Sequence, residues 1–254
     1  MSRWVLRGLR TGIVTTGYPD ALDTSPGTSP GLPRTTPMAA AEGESLEDRC
    51  PTGALAASAE GVRVDARHCV HCMRCHPSSG EVREPLEWRE DPEWARVTAA
   101  GRALERAFGR SLHLRFVDAG GCGACIAEAR HLNSPYYNMH RLGIFVTPTP
   151  RKADVLLVAG PVTDAMRAPL IKCYEAMPEP RRVVAMGACA LTGGVFGPSF
   201  IAAGGVGEVL PVDVEVPGCP PPPLALLHAL LVVVGRKPPT EVFDRTGDPA
   251  EAAR

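Results

Sequence analysis

Nine cysteines are the residues of this 254-residue chain with the most chemistry to offer. Eight of them form two sets. Cys69, Cys72 and Cys75 stand three residues apart on one short stretch, with Cys50 upstream. Cys122 and Cys125 repeat that spacing, with Cys189 and Cys219 alone and far downstream. Such sets either pair as disulfides or hold metal, and the compartment decides which. Met1 to Leu22 carries Arg3, Arg7 and Arg10 but no apolar run of signal-peptide length. Leu224–Val234 is the longest apolar run and falls short of the roughly 20 residues that cross a bilayer. The chain therefore reads as cytoplasmic and reduced, where clustered cysteines point to metal or redox chemistry.

In the first set, three thiolates on a tight loop reach three corners of one iron–sulfur cubane, and the fourth corner needs a remote ligand. Cys50-Pro51 resembles the closing Cys-Pro of a bacterial ferredoxin motif whose own three cysteines are missing. The Cys69 run departs in the complementary way, with Ser79 past Cys75 where a ferredoxin has its fourth cysteine. Both losses remove ligands of the same cluster, so one [4Fe–4S] site remains on Cys50, Cys69, Cys72 and Cys75. The alternative is a structural zinc site, which favours two Cys-x2-Cys pairs over three cysteines in seven residues. His68, His71 and His76 flank the thiols and read as exposed loop residues.

For the second set to act together, the fold must bring distant loops to one place. Leu112–Val117, Ala153–Val158, Arg182–Met186 and Val212–Val216 read as apolar strands, each followed by a Gly- or Pro-rich loop. Helices follow after Thr163, ending before Pro178, and after the prolines that follow Cys219. That alternation predicts a mostly parallel sheet covered on both faces. Cys122 and Cys125, Cys189, and Cys219 each follow a strand's carboxyl end, and in an open parallel sheet those ends share one edge. Glycines 120, 121, 123, 187 and 218 suit tight turns there and leave backbone N–H groups for cluster sulfurs.

Four blocks carry a specific resemblance. They are Gly109 through Asp118-Ala-Gly-Gly-Cys122-Gly-Ala-Cys125 to Glu128, Pro150 to Thr163, Tyr174–Pro178 with Val184 to Phe196, and Val212 to Pro221. Together they resemble the small subunit of membrane-associated, energy-conserving [NiFe] hydrogenases, a family related to the 20 kDa subunit of respiratory complex I. The upstream part, including Gly12 to Pro19, resembles a ferredoxin subunit of the same complexes. The resemblance implies a flavodoxin-like domain with a second [4Fe–4S] cluster on Cys122, Cys125, Cys189 and Cys219. The two residues between Cys122 and Cys125 follow the hydrogenases; the complex I relatives have adjacent cysteines. It further implies an electron-transfer subunit without bond-making residues of its own. Its partners would be a catalytic large subunit and a ferredoxin-type or other redox donor or acceptor. The alternatives are a complex I-like NADH–quinone oxidoreductase subunit and a zinc-stabilised scaffold.

The expected organisation is a poorly structured segment over 1–45, a ferredoxin-like segment over 46–82, a linker helix over 83–110, the sheet domain over 111–236 and a flexible tail over 237–254. The helix reading rests on Trp94, Val97, Leu104 and Phe108, with Asp91 as N-cap and Pro92 at N1. A net charge of −1 argues against nucleic acid as a partner. Any membrane contact is expected only through other subunits, peripherally on the cytoplasmic face. Cys173 reads as a buried free thiol, Thr163 as an N-cap, and Glu128 as a proton relay or a helix-dipole partner. Leu224, Leu227, Leu230 and Leu231 read as core or subunit interface.

Overall fold

The computed structural model describes residues 3–23, 25, 27–75, 86–89, 91–98 and 111–240. In chain order the strands are β1 (Leu32–Pro33), β2 (Leu55–Ser58), β3 (Gly61–Val64), β4 (Trp88–Arg89), β5 (Arg96–Val97), β6 (Leu112–Asp118), β7 (Ile144–Val146), β8 (Val155–Ala159), β9 (Arg182–Met186) and β10 (Val214–Val216). The helices are α1 (Arg3–Thr11), α2 (Ala40–Arg49), α3 (Ala124–His131), α4 (Asp164–Glu175), α5 (Ala188–Thr192) and α6 (Pro223–Val233).

Six strands form one sheet in the order β5-β10-β9-β8-β6-β7. All pairs are parallel except β5 with β10. Counted from β6, the parallel strands run in the flavodoxin-like order 2-1-3-4-5, which puts the topological switch between β6 and β8. The sheet is buried on both faces, as its continuous Val/Leu/Ala strands require. Along β8 the side chains alternate: Val155 and Leu157 pack into the core beneath α6, Leu156 and Val158 into the core with Leu170 of α4 and Leu191 of α5.

Every residue of α6 is buried, including His228. A helix apolar all round needs cover on every side. The segment read as poorly structured supplies part of it: Tyr18 and Leu32 are fully buried against α6. Tyr18 Oη shares a 2.7 Å hydrogen bond with His228 Nδ1, and Thr240 Oγ1 one of 3.0 Å with Nε2. The Pro/Gly/Ser composition of 20–38 denies that stretch long elements, yet it does not keep the chain from packing. The tail likewise begins docked, since Lys237 Nζ lies 3.0 Å from Glu93 Oε1; residues 241–254 lie outside the described residues.

The linker helix is corrected where the chain is described. Residues 91–98 contain no helix; Arg96–Val97 form β5, which pairs Val97 with Val214 and Arg96 with Glu215. Trp94 and Val97 share a helical spacing by sequence only. Trp94 is fully buried and its Nε1–H donates to Pro217 O at 3.0 Å. Asp91 accepts from Glu93 N at 3.2 Å in a local turn. Leu104, Phe108 and the rest of 99–110 lie outside the described residues. Trp94→Ala is expected to cost about 3–5 kcal/mol, read as a lowered denaturant midpoint, because it deletes a fully buried ring.

The upstream part is smaller. α2 packs on the β2–β3 hairpin around Leu46, Leu55 and Val62, and β1 pairs antiparallel with β4 beside it. Among the described residues no helix is long and apolar enough to cross a membrane.

Candidate functional site

The strand-edge cysteines converge. Cys122 follows β6, Cys125 lies in the first turn of α3, Cys189 opens α5 just after β9, and Cys219 follows β10. All four line one open recess of about 360 Å³, together with Asp118, Gly160 and Pro220. Two glycines set their positions. At Gly187, with φ +87°, a Cβ would stand 2.6 Å from Cys125 Sγ, and at Gly194 a Cβ would stand 2.9 Å from Cys189 Sγ. The loops after β6 and β8 also touch closely, for a Cβ at Gly160 would meet Gly121 N at 2.6 Å. This crowding is at the switch point, where an open sheet offers its crevice.

Asp118 is a residue the sequence reading left without a role. Its Oδ1 accepts from Gly120 N at 3.0 Å and Gly121 N at 2.7 Å, which pins the turn ahead of Cys122. Those two N–H groups are therefore engaged, and Gly187 N donates to Val216 O. The expectation that these three glycines free their N–H groups for cluster sulfur is corrected accordingly. Thr163 precedes α4 without a side-chain cap; its Oγ1 donates to Ala119 O at 3.3 Å. Cys173 is half-buried on α4.

The upstream thiols gather separately. Cys50, Cys69, Cys72 and Cys75 line a second recess of about 380 Å³, with Pro33 and Trp88 at its wall. His71 and Met73 have φ of 48° and 59°, a left-handed backbone that turns the loop tightly between successive thiols. Ala54 N donates to Cys50 Sγ at 3.2 Å. His71 is half-buried instead of exposed; burial holds its pKa below the usual imidazole value, and its ring lies 6.5 Å from that of Trp88. His68 pairs with Asp65 at 2.9 Å. His76 and Ser79 lie outside the described residues.

Within each set the thiols feel one another. Burial, followed by Cys219, Cys189 and Cys122, pushes Cys125 up to about 12. Burial and the thiols of Cys219 and Cys122 push Cys189 up to about 11. Burial pushes Cys69 up to about 12, with Cys75, Cys50 and Cys72 adding to it and the His71 N–H opposing. Buried neighbouring thiolates without a cation repel, and a bound cation reverses that balance. A consequence follows for the cluster-free chain. These thiols keep protons that the unfolded chain releases near 9, so stability is full below about pH 9 and falls as pH climbs toward 11–12. Urea midpoints between pH 8 and pH 10.5 check it, and a flat profile would contradict it.

Among the described residues no three His, Cys, Asp or Glu side chains stand close enough to hold a single metal ion. Each recess is lined by four thiols, an all-cysteine donor set of the kind that could hold a four-iron cluster.

The two recesses are joined by ion pairs. Arg67, two residues before Cys69, reaches Glu215 Oε1 at 3.2 Å. Arg96 reaches Glu215 Oε2 at 3.4 Å, and Thr192 Oγ1 of α5 donates to Arg67 O at 3.5 Å. No spacing rule links residues 67, 96 and 215, so the sequence reading passed over them.

The chain is similar in sequence to known proteins. The family model for the NADH ubiquinone oxidoreductase 20 Kd subunit matches residues 122–233. An uncharacterised protein of Methanocaldococcus jannaschii is 47% identical over 124 residues, covering 49% of this chain and 83% of that protein. Formate hydrogenlyase subunit 7 of Escherichia coli is 40% identical over 139 residues, 55% of this chain; the chain spans 54% of that subunit's length. Among solved structures, the membrane-bound sulfane sulfur reductase, an archaeal respiratory membrane complex, aligns at 31% identity and TM-score 0.44 over 50% of this chain and 70% of the matched one. An NAD+-reducing [NiFe]-hydrogenase aligns at 21% identity and TM-score 0.43 over 53% and 99%. The match runs from Cys122 to the end of α6, and the chain belongs to the family of the NADH ubiquinone oxidoreductase 20 Kd subunit.

Proposed function

We propose that the chain is the iron–sulfur electron-transfer subunit of a multisubunit oxidoreductase and relays electrons to or from a [NiFe] hydrogenase large subunit. The observation that carries this reading is the convergence of Cys122, Cys125, Cys189 and Cys219, from three strand ends, on one recess. Those four residues would hold one [4Fe–4S] cluster, and Cys50, Cys69, Cys72 and Cys75 another. When bound, such clusters supply one-electron transfer at potentials set by their protein surroundings. The chain's own part is positional. Gly187 and Gly194 leave room for the thiols, Asp118 fixes the Cys122 turn, and the strand-edge loops hold the ligands on a rigid rim. The likeness to formate hydrogenlyase subunit 7 and the two residues between Cys122 and Cys125 favour the hydrogenase branch.

Anaerobic purification tests it. Two four-iron clusters give about eight irons and eight sulfides per chain in a brown protein. A colourless protein holding zinc would overturn the reading. Cys219→Ser is expected to remove or convert one cluster alone, followed by EPR of the reduced protein. The family description also supports a second reading, a complex I-like subunit passing electrons to a quinone. The partner's sequence separates the two, since two Cys-x2-Cys pairs in the large subunit mark a hydrogenase.

A further inference from the structure

The N-terminal helix has a division of side chains that neither the family nor the cluster reading uses. α1 is Arg-Trp-Val-Leu-Arg-Gly-Leu-Arg-Thr. At 3.6 residues per turn, Arg3, Arg7 and Arg10 fall within an arc of about 60°. Trp4, Val5, Leu6 and Leu9 take positions around the remainder. The helix has no buried residue and no acidic one. Trp4 is 77% exposed and Leu9 71%, and the apolar surface continues past Gly12 into Ile13, which is 90% exposed. Five of the large exposed apolar side chains thus lie between residues 4 and 14: Trp4, Leu6, Leu9, Ile13 and Val14.

Two physical arguments bear on what covers this face. A nine-residue helix standing off the core has too few hydrogen bonds to be stable in water by itself, so a surface must stabilise it. A short helix with arginines along one side and Trp and Leu around the rest fits the boundary between headgroups and acyl chains, with its axis in the membrane plane. The arginines, unopposed by any acid on the helix, complement an anionic surface. We propose that α1 is an interfacial helix that docks the chain directly on an anionic lipid bilayer. Thr16 N, five residues beyond the helix, donates to Tyr136 O at 2.9 Å, and Tyr18 is buried on α6. The tether is therefore short, and docking would hold the sheet domain close to the lipid surface. This departs from the expectation that membrane contact comes only through other subunits, and it stands apart from whether clusters are bound.

The test is co-sedimentation of the full chain with vesicles of mixed phosphatidylglycerol and phosphatidylcholine, against vesicles of phosphatidylcholine alone. The wild-type chain is expected to bind the anionic vesicles and to be released as salt rises to about 0.5 M. Each arginine at such a surface is worth about fivefold in binding, so the Arg3→Gln, Arg7→Gln, Arg10→Gln triple variant should lose about a hundredfold. Leu9→Glu should abolish binding at every salt concentration. No α1 side chain is buried, so both variants should keep the wild-type denaturant midpoint. A wild-type chain that fails to bind anionic vesicles overturns the proposal and leaves the face to a protein partner. Equal binding by the wild type and both variants overturns it too, because the contact would then lie elsewhere.

Discussion

Gly187→Ala is expected to halve the iron content, from about eight to about four per chain, by emptying the strand-edge site while the upstream site keeps its cluster. The methyl group would stand 2.6 Å from Cys125 Sγ, inside any tolerable contact. The obstacle on either side is stiff. Gly187 N is bonded to Val216 O, and Cys125 lies in the first turn of α3. The residue also has φ +87° and ψ 152°, a region essentially confined to glycine, which adds about 1–3 kcal/mol of backbone strain. Gly123→Ala separates the two effects. Its φ is +89°, but nothing lies within 4 Å of the added methyl group. That variant should lose stability of the order of 1–2 kcal/mol and keep its iron. Iron and sulfide assays on the two anaerobically purified variants decide the matter. Equal iron in both would mean that Cys125 does not depend on the space Gly187 leaves.

The same residues show what the amino-acid sequence reveals and what it hides. β9 coincides with the predicted strand Arg182–Met186, and β6 and β8 lie within two residues of their predicted bounds. Continuous apolar runs closed by glycine leave little choice of period or length. β7 was not anticipated because Ile144–Val146 is three residues long and two of its side chains are exposed. β5 was misread because its apolar spacing fits a helix as well as a strand, and only its pairing with β10 decides. The cover over α6 was hidden for a related reason. Burial of Tyr18 depends on α6, more than 200 residues further along the chain.

The candidate site divides similarly. The gathering of the eight thiols into two recesses was legible, from close spacing around Cys69 and from the place of Cys122, Cys125, Cys189 and Cys219 after strands. The supports were not. Asp118 bonds local backbone that any Asx turn would offer, and Glu215 acts through partners remote in sequence. His71 was read as exposed because a histidine beside cysteines carries no sign of the Trp88 ring that half-covers it.

Glu215→Gln should uncouple the two recesses without emptying either. Glu215 sits four residues before Cys219 on β10 and accepts both Arg67, two residues before Cys69, and Arg96 on β5. Its side chain is 10% exposed, whereas those of Arg67 and Arg96 are 24% and 35% exposed. Glutamine keeps the shape and one acceptor oxygen but removes the charge, leaving two half-buried guanidinium groups without their shared anion. Breaking a fully buried pair costs about 3–5 kcal/mol. The exposure of the arginines discounts that to about 2 kcal/mol, read as a fall in denaturant midpoint. Glu215 is in the lining of neither recess, so iron should stay at about eight per chain. What should change is the relation between the sites. The ion pairs and the Thr192–Arg67 bond are polar ties of the Cys69 stem to the sheet edge that carries Cys189 and Cys219. With them loosened, the magnetic interaction between two reduced clusters should weaken in EPR, while each cluster's own signal persists. Glu215→Asp, which restores charge at shorter reach, should recover part of the stability and part of the interaction. Unchanged coupling in a destabilised Glu215→Gln protein would show that the ion pairs support the fold alone and that other contacts set the spacing of the sites.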